Sequence, residues 1–158
     1  MVQNAMRVEK DFEELLKLFD KYKVRYCIVG SFAVGFHAIP RYTKDIDFLV
    51  EPSDKNAKNV LKALKEFGFE GLQLGVLDFS REGMVVQLGY EPVRIDLITS
   101  IGGCKFKEVW ENKAKGTYGE AKAFFIGLDE LIKSKLAAGR KQDKADMDIL
   151  AAAKKRKK

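Results

Sequence analysis

Asp45 and Asp47 stand one residue apart in Arg41-Tyr-Thr-Lys-Asp-Ile-Asp-Phe-Leu-Val50. Ile46, Phe48 and Val50 alternate with Asp45, Asp47 and Leu49, the period-two pattern of a half-buried strand. On such a strand the two carboxylates point the same way, with Cβ atoms roughly 7 Å apart. Like charges held side by side repel, and a divalent cation between them is the economical resolution. A third carboxylate, Asp96, lies in Val93-Arg-Ile-Asp-Leu-Ile-Thr99, facing opposite to Ile95 and Leu97 and sharing its face with Arg94. A charge on a strand buried on both sides is costly, so that face is expected to open onto a cleft. If the two strands are neighbours, three carboxylates converge, enough for two hard ions completed by water and phosphate. The alternative is a solvated strand face.

Gly30-Ser31 offers the complementary half of a site. Glycine permits a sharp turn and close approach of backbone N–H groups to a ligand. The start of the following helix presents unpaired N–H groups and a positive dipole, a seat for phosphate oxygens, to which Ser31 adds a hydroxyl. Ser31 is equally a candidate N-cap.

These residues need elements to hold them. Apolar residues at 3–4 spacing predict a helix over 9–23, followed by a buried strand over 25–29, a short helix over 32–37 ended by Pro40, and the aspartate strand over 45–50. A second amphipathic helix is expected over 54–67, capped by Ser53 and stopped at Gly68. Strands over 84–88 and 93–99 flank the turn signal Gly89-Tyr-Glu-Pro92. Helix over 106–114, strand over 121–126, helix over 128–138 and a last helix from 141 complete the chain. Strands and helices alternate without a regular βαβ repeat, which predicts an α+β fold with a mixed sheet packed against helices.

The 158 residues suffice for one domain with a substantial core, read as 1–153 plus a basic end at 154–158. The net charge is +6, of which residues 154–158 supply five; the remainder holds 24 basic against 23 acidic residues. The basic pI therefore reports mostly the end of the chain, expected as a solvated helix end or a modest RNA contact. No apolar run approaches a membrane span and the N-terminus lacks an apolar signal core, so a cytoplasmic location is expected. Cys27 and Cys104 lack metal-ligand spacing and are expected reduced.

Gly30-Ser31, thirteen intervening residues, the Asp45-Ile-Asp47 strand and a later strand bearing Asp96 together resemble the nucleotidyltransferase (polymerase β-like) superfamily. The stretches from Gly30 to Asp47, Gln87-Leu-Gly-Tyr-Glu-Pro-Val-Arg-Ile-Asp96, Phe106-Lys-Glu-Val-Trp110 and Lys135-Leu-Ala-Ala-Gly-Arg-Lys-Gln-Asp-Lys-Ala-Asp146 are similar to the minimal branch related to AbiEii/MenA-type toxins. The resemblance implies transfer of a nucleoside monophosphate from an NTP to an acceptor hydroxyl on a tRNA end, a protein or a small molecule. It implies Mg²⁺ (two ions, with Mn²⁺ as an option) held by Asp45, Asp47 and Asp96, with Asp96 also aiding deprotonation. Gly30 and Ser31 would hold the terminal phosphates. An antitoxin or other partner protein is compatible with it, as is a non-catalytic nucleotide-binding component of the same fold.

Several residues carry two readings. Arg41 reaches either a nucleotide phosphate or a surface carboxylate. Arg94 is read as neutralising Asp96. Lys135 contacts the triphosphate or is one of many exposed lysines, and Asp143 fixes Arg140 at a helix junction. His37, the only histidine, and the aromatic pairs Phe106/Trp110, Phe124/Phe125 and Phe67/Phe69 are read as packing.

Overall fold

The computed structural model describes residues 9–40, 45–69, 73–90 and 93–156. Arg41, Thr43, Lys44 and part of the expected turn before Val93 lie outside them. The elements in chain order are α1 (Lys10–Lys21), β1 (Tyr26–Val29), α2 (Gly30–His37), β2 (Asp45–Val50), α3 (Asp54–Phe67), β3 (Val85–Tyr90) and β4 (Val93–Ile98). There follow α4 (Phe106–Glu111), β5 (Ala114–Tyr118), β6 (Ala121–Phe125), α5 (Leu128–Ala138) and α6 (Lys141–Arg156). Among the described residues the six strands form one mixed sheet in the order β3-β4-β2-β1-β6-β5. β2 runs parallel to β4 and antiparallel to β1, and β1 runs parallel to β6.

The sheet is apolar on both faces because its central strands carry uninterrupted apolar residues. Ile28, Ile46, Phe48 and Leu97 face α1 and α3, where Phe12, Phe19, Val60 and Leu64 complete the larger core. Cys27, Val29 and Leu49 point the other way, onto Val34 of α2, Val109 of α4, Leu131 of α5 and Leu150 of α6. Phe19, Tyr26 and Phe48 meet at ring-centroid distances of 5.1–5.6 Å, in tilted and edge-on pairs favoured by aromatic quadrupoles. α3 is bounded as its sequence dictates. Ser53 Oγ accepts the Asn56 N–H at 3.1 Å, and Gly68 ends the helix in the left-handed region at φ 117°.

Two local expectations are corrected. The helix expected over 106–114 stops at Glu111, and Ala114 instead opens β5, an edge strand paired with β6. Lys115, Gly116 and Thr117 give this strand little apolar alternation, so its identity comes from pairing rather than from a local signal. Ser31 is not an N-cap. α2 begins at Gly30, Val29 occupies the cap position without a side-chain bond, and Ser31 lies inside the first turn.

Candidate active site

The parallel register of β2 and β4 sets Asp47 directly opposite Asp96 and Asp45 opposite Arg94. Adjacent strands lie about 4.8 Å apart, so three carboxylates and one guanidinium share one patch. β1 brings in the fourth component. Val29 pairs with Asp47, and the chain leaving β1 passes that carboxylate as Gly30. Gly30 has φ 70°, and a Cβ there would collide with Asp47 Oδ2. Glycine is thus required for its dihedral and for its proximity to the acid.

Arg94 Nη2 lies 3.0 Å from Asp45 Oδ2 and 3.3 Å from Asp96 Oδ2. One cation therefore serves three carboxylates. Asp47 receives the least relief: burial, then the charge and hydrogen bond of Asp96 and the charge of Asp45, push its carboxyl up to about 6, with Arg94 opposing. Asp96 Oδ1 is buried without a hydrogen-bond partner among the described residues.

These features fit a divalent cation: the donors are hard carboxylate oxygens, one buried oxygen awaits a partner, and the patch carries excess negative charge. The described side chains do not, as they stand, form a ready three-carboxylate cage. The Arg94 guanidinium lies between Asp45 and Asp96, so an ion ligated by both displaces it.

Ser31 lies half-buried one residue past Gly30 in the first turn of α2, where its hydroxyl makes no hydrogen bond among the described residues. Arg41 falls outside the described residues. Lys135 is neither an exposed lysine nor an open phosphate ligand. Its side chain is 11% exposed, and Nζ lies 3.3 Å from Asp143 Oδ1 and 3.0 Å from Asp146 Oδ2. Asp143 bonds Arg140 as expected: it accepts from the Arg140 N–H at 3.1 Å and from Nε at 2.7 Å, tying the start of α6 to the Gly139 turn. Those bonds, Arg140 first and Lys135 after burial's opposition, hold Asp143 down to about 2.

Arg140 is the residue that sequence reasoning undervalued. Its side chain is 74% exposed, and besides Asp143 and Asp146 it feels the charge of Asp47, so it stands within electrostatic reach of the catalytic patch. The available signal was its position immediately after the helix-ending Gly139, which projects a side chain from a tight corner. His37 is packing, as expected: it is buried, with Nε2 2.6 Å from the Ile126 carbonyl oxygen.

Similarity to known proteins agrees with this geometry. The crystal structure of the lincosamide antibiotic adenylyltransferase LnuA, lincomycin-bound, superposes with a TM-score of 0.60 at 18% identity, covering 92% of this chain and 97% of that one. A candidate nucleotidyltransferase from Thermotoga maritima gives a TM-score of 0.60 at 13% identity, covering 88% and 89%. At such identities the likeness shows the fold, the α+β nucleotidyltransferase architecture. No curated protein matches the sequence. Residues 3–154 match the family described as nucleotidyltransferase of unknown function (DUF6036), and the chain belongs to that family.

Proposed function

We propose that this protein transfers a nucleoside monophosphate from an NTP to an acceptor hydroxyl and releases pyrophosphate. The observation that carries the reading is the register placing Asp47 beside Asp96 with Asp45 on the same face. Membership in a nucleotidyltransferase family supports the reaction class. The acceptor oxygen bonds to the α-phosphorus while the α–β phosphoanhydride bond breaks, its electron pair leaving with pyrophosphate and the acceptor proton passing to a carboxylate. Asp96 is the proposed proton acceptor and, with Asp45 and Asp47, the proposed holder of two Mg²⁺ ions, or Mn²⁺ in their place. Bound there, such ions neutralise the triphosphate and activate the acceptor oxygen. Gly30 and Ser31 offer first-turn N–H groups and a hydroxyl to the terminal phosphates. Arg41 retains its proposed phosphate contact. Arg140 is better placed than Lys135 for the same task, because Lys135 would first have to abandon two ion pairs.

We read residues 1–153 as one nucleotidyltransferase domain with 154–158 appended, acting in the cytoplasm. Among the described residues no helix is long and apolar enough to cross a membrane. The resemblance to AbiEii/MenA-type toxins supports a toxin role beside an antitoxin partner, with a tRNA end or a protein as acceptor. The LnuA likeness adds a small molecule to the acceptors worth testing. Incubation with each labelled NTP, Mg²⁺, total tRNA and lysate is expected to move label onto one acceptor class, and Asp47→Asn is expected to abolish it. Undiminished transfer by that variant overturns the assignment. A second reading, a nucleotide-binding component without turnover, is favoured by one observation: Arg94 already neutralises Asp45 and Asp96. Calorimetric ATP binding with Mg²⁺ but no pyrophosphate release selects it.

A further inference from the structure

β1 leaves the aspartate patch at Val29 and reaches, about 10 Å away at Tyr26, a second concave surface. Two adjoining cavities of about 440 and 660 Å³ lie there, both lined by Lys23 and Arg25. The smaller is walled by Phe19, Tyr26, Trp110 and Phe124 with Lys122 among its lining residues, and the larger by Tyr22 and Asn59 with Lys55 and Lys62. Two carboxylates, Asp20 and Glu51, line the pair; Glu51 sits 3.4 Å from Arg25 Nη1. Lys23, Lys55, Lys62 and Lys122 make no ion pair among the described residues. A body with 24 basic and 23 acidic residues outside its last five thus concentrates positive charge along one groove.

The groove is also ordered in advance. The Arg25 N–H donates to Asn56 Oδ1 at 2.8 Å, Asn56 Nδ2 donates to the Arg25 carbonyl at 3.0 Å, and the guanidinium lies 5.4 Å from the Trp110 ring centroid. Lys113 Nζ sits 3.8 Å over the same ring. Cation–π contact holds both charges beside aromatic surface. Lys23 adds a backbone oddity. It adopts φ 55° directly after the α1 cap residue Tyr22, where glycine or asparagine is the low-cost occupant. A lysine there places a charge in both cavities at the expense of backbone comfort.

We propose that this groove is a docking surface for single-stranded RNA. Single positive charges spaced along a concavity match a backbone with one negative charge per nucleotide. The interleaved aromatic edges match bases better than the carboxylates of an acidic peptide, and cavities of this volume admit unstacked bases rather than a duplex. That the bound RNA is also the acceptor rests on the nucleotidyl-transfer reading; the docking itself does not.

Trp110 is the only tryptophan of the chain, so its fluorescence reports the groove directly. Titration of the full chain with a twelve-nucleotide oligouridine is expected to shift or quench that emission saturably. Affinity is expected to fall about 20- to 50-fold between 50 and 200 mM salt, as three or four phosphate contacts require. Lys23→Gly is expected to weaken binding about fivefold while leaving Tm at or above the parent value, a combination that a purely structural lysine would not produce. Lys23→Gly with Lys122→Glu is expected to lose at least thirtyfold. Asp47→Asn and deletion of residues 154–158 are each expected to stay within twofold of the parent, which separates docking from catalysis and from the basic end. No emission change, parental affinity in the Lys23/Lys122 double variant, loss of binding on deleting 154–158, or equal affinity for a polyglutamate peptide of the same charge overturns the proposal.

Discussion

Asp45, Asp47 and Asp96 share the Arg94 guanidinium, whereas Asp143 and Asp146 enclose Lys135 and Asp143 is also bonded by Arg140. Both clusters take carboxylates out of water. In the first, burial and like charge push Asp47 up to about 6; in the second, hydrogen bonds hold Asp143 at about 2. A cluster whose charges are balanced stabilises a helix junction. One whose charges are unbalanced costs stability and is poised to bind cations. The contrast separates structural from functional acids using neighbours alone.

The comparison is broken most severely at Lys135. Lys135→Met strands two carboxylates that are 0% and 1% exposed, and is expected to cost about 3–5 kcal/mol in denaturant unfolding. A loss below 1 kcal/mol would show that the junction does not depend on its cation. Removing an acid from the other cluster should do the reverse. Asp47→Asn is expected to raise stability in EDTA at pH 7.5 by about 2 kcal/mol, because the parent must ionise a group titrating near 6.

The pH dependence sharpens the same contrast. Between about pH 4 and 6 the native state keeps a proton on Asp47 that the unfolded chain has released, so this group's contribution falls as pH rises through that window. The Asn variant's advantage should therefore shrink as pH falls from 6 toward 4. For Asp143 the unfolded chain protonates first, so its stabilisation is present above about pH 4 and is lost as pH falls toward 2. Melting curves of the parent and Asp47→Asn across pH 4–8 check the first sign, and acid titration of the parent and Asp143→Asn checks the second. Arg94→Gln is expected to cost the metal-free protein about 1–2 kcal/mol and to tighten Mn²⁺ binding several-fold by calorimetry, since the ion no longer displaces a resident cation. Unchanged or weaker Mn²⁺ affinity would remove Arg94 from that role. The smallest effect serves as a calibration far from both clusters: Ser53→Ala should cost about 1 kcal/mol through loss of the α3 cap.

Much of this was written locally. Alternation around Asp45 and Asp47 marks the strand face, Gly30 announces the turn beside it, and Ser53 and Gly68 bracket α3, because each signal needs only nearby residues. Long-range pairing was not legible. Whether β4 lies beside β2, and in which direction, depends on strands some fifty residues apart, and β5 exists because β6 offers it a partner. Lys135 looked like any lysine until α5 and α6 folded its charge between two acids. Net charge misled in the same way. A sum near zero over the folded body concealed the cations gathered around Lys23 and Arg25, since summation discards position.

The central claim is that the unbalanced acid cluster exists for nucleotidyl transfer. The most direct test measures Asp47→Asn twice: metal-free stability, and Mg²⁺-dependent transfer of α-labelled nucleotide to the acceptor that the parent labels. The account predicts a variant at least as stable as the parent with transfer reduced by about 10³-fold or more. A variant that transfers label at the parental rate would contradict it.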